Sequence, residues 1–196
     1  MARRTSEGRT YPQRVCVCDE QGSEWPSPTT ELWPSPAQAD TLVATLQERG
    51  IESAVSIGCG EGACEAMLEA RGLHVHAVDL DVLSNTSHYS TMRQFCREIR
   101  RVRPDELFKV PQPEVTALCF FWGRKLPWRE YLEHYPSIPV VVIAGERVEV
   151  DSCDCATEPR GGALHGAEGW RVVHEAPVRA VHGGAVWSVH ERCDLG

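Results

Sequence analysis

The chain reads as a three-layer α/β domain built on a mostly parallel sheet of six or seven strands and closed by an antiparallel hairpin. Three observations predict this. Ser53 to Leu80 runs without a break as strand, glycine turn, helix, strand and acid. Val115 to Trp122 and Ile138 to Ala144 are apolar runs of strand length, as expected of strands covered on both faces. Trp170 to Val178 and Ala185 to Arg192 alternate like half-buried strands on either side of His182-Gly183-Gly184.

A length of 196 residues suits one domain with a sizeable core, and 42% hydrophobic with 24% charged residues is ordinary globular composition. The formal net charge of -8 disfavours general binding to nucleic acid or to an acidic membrane surface. Met1 to Arg9 leads into no apolar leader segment and no run reaches the length of a membrane span, so the expected setting is the cytoplasm, with no membrane partner. The nine cysteines are then expected as free thiols. Cys16-Val17-Cys18 and Cys153-Asp154-Cys155 lack the C-x2-C bite of a zinc site, and His74, His76, His174 and His190 have no ligand spacing, so no metal is expected.

In chain order, residues 1–34 form an arm, basic at first and then broken by Pro26, Pro28 and Pro34. Its indoles Trp25 and Trp33 are read as pinning the arm to the surface of the domain formed by residues 35–196. Ser35, Pro36 and Gln38 spell a helix start with a capping box; Ala39, Leu42, Val43 and Leu46 give that helix an apolar face, and Gly50 ends it.

The unit from Ser53 follows. Ala54, Val55 and Ile57 make the strand, and Gly58, Gly60 and Gly62 let the backbone turn where a side chain would block a ligand. Ala63, Ala66, Met67 and Ala70 give the helix one apolar face, with Glu61, Glu65 and Glu69 expected on the other side. Asp79 then ends the second strand, about twenty residues past the first glycine, within reach of ribose hydroxyls.

Gly58 to Ala63 fits the dinucleotide pattern G-x-G-x-x-A, so a nicotinamide cofactor is one reading. The full string more closely resembles motif I and the following acid of the class I S-adenosylmethionine-dependent methyltransferases, a Rossmann-like family. Gly58, Gly60 and Gly62 match its three glycines, Gly72 the glycine before the second strand, and Asp79 its ribose-binding acid. Ser56 departs from the family, which often has an acid there that contacts the methionine amine. The resemblance implies S-adenosylmethionine as cofactor, with Gly58, Cys59, Gly60, Gly62, Asp79 and Leu80 around it, and a small-molecule or protein methyl acceptor. Glu61 and Glu65 would be poor neighbours for a diphosphate, which favours this reading over the dinucleotide one.

Beyond Asp79, Met92, Phe95, Ile99 and Val102 keep a helical spacing; alternatively Ile99 to Arg103 is a short third strand and Asp105 the acid that the resemblance would set against adenine. The arginines of this stretch are read as a solvated face, with a site for a phosphate or anionic partner as the alternative. Phe121 and Trp122, with Arg124, end the fourth strand on the ligand side of such a sheet. The Asp/Asn-Pro-Pro-Tyr/Phe motif of adenine and amino-group methyltransferases is absent there, which disfavours a nucleobase amine as acceptor. Trp128, Tyr131, Leu132 and Tyr135 form a core-facing helical stripe. Residues 151–169 are expected as loop where the family has a helix. Glu146, His88 and His165 are candidate bases that nothing ranks, so no catalytic residue is assigned. A methyltransferase-like binding protein without catalysis stays open as an alternative, as does a nicotinamide oxidoreductase.

Overall fold

A computed structural model of the chain describes residues 3–4, 10–11, 32–80, 94–121, 126–146, 159–180 and 185–193. Strands β1 (Arg3–Arg4) and β2 (Thr10–Tyr11) form a two-residue antiparallel ladder. The main body runs β3 (Leu32–Trp33), α1 (Pro36–Gln47), β4 (Ser53–Ile57), α2 (Ala63–Glu69), β5 (His74–Leu80), β6 (Ile99–Val102), β7 (Thr116–Phe121), α3 (Trp128–His134), β8 (Val140–Glu146), β9 (Trp170–Ala180) and β10 (Ala185–Arg192).

The sheet order is β3-β9-β10-β8-β7-β4-β5-β6. From β8 to β6 every pairing is parallel, while β10 runs antiparallel to β8, β9 to β10, and the two residues of β3 to the end of β9. The five parallel strands and the closing hairpin are the expected seven, and β3 adds a short edge. The chain steps outward from β4 through β5 to β6, then returns to the other side of β4 with β7. Such a topological switch opens a crevice at the carboxyl ends of β4 and β7, where open α/β sheets take ligands.

The start of α1 follows its sequence signals. Ser35 Oγ accepts from the Gln38 backbone N–H at 3.2 Å while Gln38 Oε1 accepts from the Ser35 N–H at 2.8 Å, completing the capping box. Gln38 Nε2 also donates to Pro177 O at 2.5 Å, which ties this helix to the hairpin. One face of the sheet packs Ala54, Ala77 and Ala117 under Leu42, Leu46, Met67 and Leu68 of α1 and α2. The other packs Val55, Leu118, Val141 and Ile143 under Trp128 and Tyr131 of α3. The aromatic stripe of α3 is core, as expected, and its polar tips also hold backbone. The Tyr131 and Tyr135 hydroxyls accept from the Phe108 and Val110 N–H groups at 2.8 and 3.2 Å, fixing the segment that enters β7.

One open alternative is settled and one expectation changes. Ile99 to Val102 is the third parallel strand, paired with Ala77 to Leu80, and not the end of a helix. An edge strand requires little apolar surface, and Ile99 and Val102 are only half-buried; their helical spacing to Phe95 is a coincidence of short segments. Second, α2 is buried nearly all round: Glu65 is 1% exposed and Glu61, just before the helix, 8%, whereas Ala70 faces solvent. A seven-residue helix wedged between β4, β5 and Phe95-Cys96 has no wide solvent side on which to put its acids.

Candidate functional site

The glycine turn after β4 is held by its own backbone. Gly58 and Cys59 N–H both donate to Val78 O on the neighbouring strand, at 2.8 and 3.1 Å, and Gly62 N–H donates to Cys59 O at 2.9 Å. Gly60 N–H donates to Asp79 Oδ2 at 2.9 Å, so the predicted acid braces the turn as well as facing it. Gly62 has φ +75° and a methyl there would meet the Cys96 side chain, so only glycine fits. Gly60, at φ +55°, opens outward: nothing lies within 4 Å of where its Cβ would be. That opening is the place for a ligand to approach the backbone. Leu126, just before α3, closes the turn's other flank against Gly58.

Asp79 holds a mixed environment. Its Oδ1 accepts from the Leu80 N–H at 2.7 Å and Arg101 Nη1 stands 3.7 Å from Oδ2. Burial outweighs these favourable contacts and raises its carboxyl above the usual range. Arg101 also reaches Leu80 O at 3.4 Å, which keeps Leu80 and the end of β5 in place. Cys59 is half-buried beside the turn, and burial with the Glu65 and Asp79 charges pushes its thiol well up, the opposite of a nucleophile's environment.

Beneath the turn, Ser56 Oγ donates to Glu65 Oε1 at 2.5 Å. A carboxylate from α2 thus sits against Ser56. Burial raises the Glu65 pKa from 4.5 to about 7, with Asp79 and Glu69 adding to the rise and the Ser56 hydrogen bond opposing it. Glu61 Oε2 is buried and has no hydrogen-bond partner. The sequence reading set both acids beside the turn, as poor neighbours for a diphosphate, but missed their burial; the signal for Glu65 was Ser56, a short polar residue at a fully covered strand position.

The other predicted positions fall outside this cluster. Asp105 follows β6 with its side chain 72% exposed and paired to Arg103 at 3.1 Å. Phe121 is buried, stacked on Trp187 with centroids 6.0 Å apart across the small Ala144 that pairs with both; its ring is core packing. Trp122, Arg124, His88, Trp25 and the Cys16–Cys18 and Cys153–Cys155 pairs lie outside the described residues. Glu146 ends β8 at the ligand edge. His165 Nε2 stands 2.9 Å from Glu175 Oε2, on the turns of residues 161–166. Arg100 and Arg103 face Glu98 and Asp105, in keeping with a solvated face.

This architecture is the class I, Rossmann-like fold of the S-adenosylmethionine-dependent methyltransferases. A provisionally named O-methyltransferase from Klebsiella pneumoniae matches with a TM-score of 0.52 at 14% identity, over 81% of this chain and 81% of its own. Two further similar structures are the 1,6-didemethyltoxoflavin-N1-methyltransferase of Burkholderia thailandensis with S-adenosylhomocysteine bound (TM-score 0.49, 15% identity, 81% and 78% of the two chains) and an O-methyltransferase from Bacillus cereus in complex with SAH (0.48, 14%, 81% and 82%). No family model and no curated protein sequence matches the chain, so the likeness is one of fold.

Proposed function

We propose that the chain is a methyltransferase that uses S-adenosylmethionine to methylate a small-molecule or protein acceptor. The observation that carries this reading is the braced turn, open at Gly60, with Asp79 beside it at the topological switch point. The cofactor supplies an already activated methyl group on a sulfonium, so the protein's work is to hold and align the reactants and exclude water. In this reading Asp79 keeps the sugar with the lone pairs its two N–H donors leave free, Gly60 admits the ligand to the backbone, and Leu126 walls the turn.

Backbone accounting disfavours a dinucleotide. The N–H groups of Gly58, Cys59, Gly60 and Gly62 are all spent inside the protein, and a pyrophosphate would find carboxylates where it needs donors. A cofactor-binding protein without catalysis is the second reading, favoured by the turns of residues 161–166 on the acceptor side. The free thiols of Cys59, Cys64, Cys96, Cys119 and Cys193 suit a cytoplasmic setting, and among the described residues no helix is long and apolar enough to cross a membrane.

Calorimetry tests the proposal. S-adenosylhomocysteine should bind and NADH should not; tighter NADH binding would overturn it. Asp79→Asn should abolish measurable cofactor binding and also loosen the turn. Both carboxylate oxygens accept backbone N–H bonds, and an amide can satisfy only one, a cost of about 1–3 kcal/mol in chemical denaturation.

A further inference from the structure

β6 sends an arginine to the site, and not the acid that follows the strand. Asp79 and Arg101 are register partners on the parallel strands β5 and β6, close to the carboxyl ends where the glycine turn lies. Arg101 Nη1 contacts Leu80 O at 3.4 Å and stands 3.7 Å from Asp79 Oδ2, whereas Asp105 pairs with Arg103 in solvent. The gap to Asp79 is longer than a hydrogen bond. A guanidinium forked onto both carboxylate oxygens would use up the acceptor sites that a ligand needs, but one held off by Leu80 O supplies its charge and leaves them open.

The carboxylate needs that charge. The Asp79 side chain is 15% exposed, and the other titratable groups that its charge reaches are Glu65 from α2 and Cys59 from the turn, neither of them a cation. Burial favours the neutral acid, and the Leu80 N–H, Arg101 and the Gly60 N–H oppose it. A neutral carboxyl would carry a proton on one oxygen and offer fewer acceptors to a sugar, whose hydroxyls have O–H bonds to donate.

We infer that Arg101 is a positioning residue for the cofactor's sugar: from β6 it holds Asp79 as an open carboxylate to which the ribose hydroxyls bind. This rests on the cofactor reading above.

Calorimetry with S-adenosylhomocysteine and with its 2′,3′-dideoxy analogue, which lacks both hydroxyls, isolates this role. Wild type should prefer the natural ligand. Arg101→Gln should weaken S-adenosylhomocysteine by about 5- to 30-fold and change the analogue by less than about twofold, because only the first uses the carboxylate. Arg101→Lys keeps the charge and should recover most of the loss. Arg101 is 39% exposed and its pair partly solvated, so ligand-free Arg101→Gln should unfold at a urea midpoint close to that of wild type. Wild type that binds neither ligand would overturn the cofactor reading and this assignment together. Wild type that prefers the natural ligand, with Arg101→Gln weakening both ligands equally or neither, would overturn the assignment alone, as would Arg101→Lys as weak as Arg101→Gln. Wild type that binds the two ligands alike would also overturn it, since Asp79 would then not hold the sugar, while the cofactor would stand.

Discussion

The parallel half of the sheet and its closing hairpin each bury a serine hydroxyl against a titratable side chain, and the two pairs behave in opposite ways. In the parallel half Ser56 meets Glu65 under the helix that leaves the glycine turn. In the hairpin Ser188 Oγ donates to Gly161 O at 2.5 Å, so at 2.8 Å from His190 Nε2 it accepts a hydrogen bond from that nitrogen's N–H. All four side chains are 0–1% exposed. Burial suppresses charge in both, raising the acid and lowering the base: His190 falls from 6.5 to about 4, with His165 adding to the fall. The lesson concerns surroundings. Glu65 lies among other acids under the glycine turn, whereas His190 lies beside His165 with Nδ1 left unpartnered.

The widest separation between the halves should come from two glycines. A Cβ on Gly62 would stand 3.0 Å from Cys96 Cβ, and the residue has a left-handed φ, so Gly62→Ala should cost about 2–5 kcal/mol and abolish cofactor binding. At Gly161 the Cβ would press on Gly145 O at 2.9 Å without the φ penalty. Gly161→Ala should cost about 1–3 kcal/mol and leave binding in place. Urea melts with calorimetry on both variants check this, and loss of binding in Gly161→Ala would show that the halves are not independent.

Next in size is the pH response. Folded Glu65 keeps a proton that the unfolded chain has lost between pH 4.5 and about 7, so its contribution is full below pH 4.5 and is lost as pH rises to about 7. Folded His190 refuses a proton that the unfolded chain takes, so its contribution is full above pH 6.5 and is lost as pH falls to about 4. Across the shared window the slopes oppose. Glu65→Gln should expose the hairpin's slope, stability rising by about 3 kcal/mol from pH 4 to 6.5; His190→Gln should expose the reverse slope, of similar size, from pH 4.5 to 7. Parallel slopes in the two variants, read from urea midpoints, would sink the comparison.

What the sequence showed and what it hid follow from how local each cause is. The capping box at Ser35 and the glycine turn with Asp79 are settled by residues a few positions apart or by one β-α-β unit, and they were legible. The burial of Glu65 depends on Ser56, which only the packing of α2 against β4 brings opposite it. The Phe121 ring was expected near a ligand because nothing local places Trp187 across Ala144 from it. The strand at Ile99–Val102 was ambiguous because four half-buried or exposed edge residues carry almost no periodic signal.

The smallest effects should fall at the rims of both halves. Asp105 beyond β6 makes an exposed ion pair to Arg103 at 3.1 Å, and His165 over the hairpin stands 2.9 Å from Glu175, with the Asp105 and His165 side chains 72% and 41% exposed. Exposed pairs contribute about 0–1 kcal/mol because water and salt screen them and two long side chains must be held still. Asp105→Ala and His165→Ala should therefore each shift the urea midpoint by less than about 1 kcal/mol in free energy, and less again in high salt. The binding measurement is the sharper one for Asp105. Its family counterpart is expected to touch adenine, yet here the carboxylate is engaged with Arg103 in solvent, so Asp105→Ala should bind S-adenosylhomocysteine as wild type does. A loss of about tenfold or more, about 1.4 kcal/mol, would mean that the end of β6 turns inward when the ligand arrives, and that the site extends beyond the braced turn.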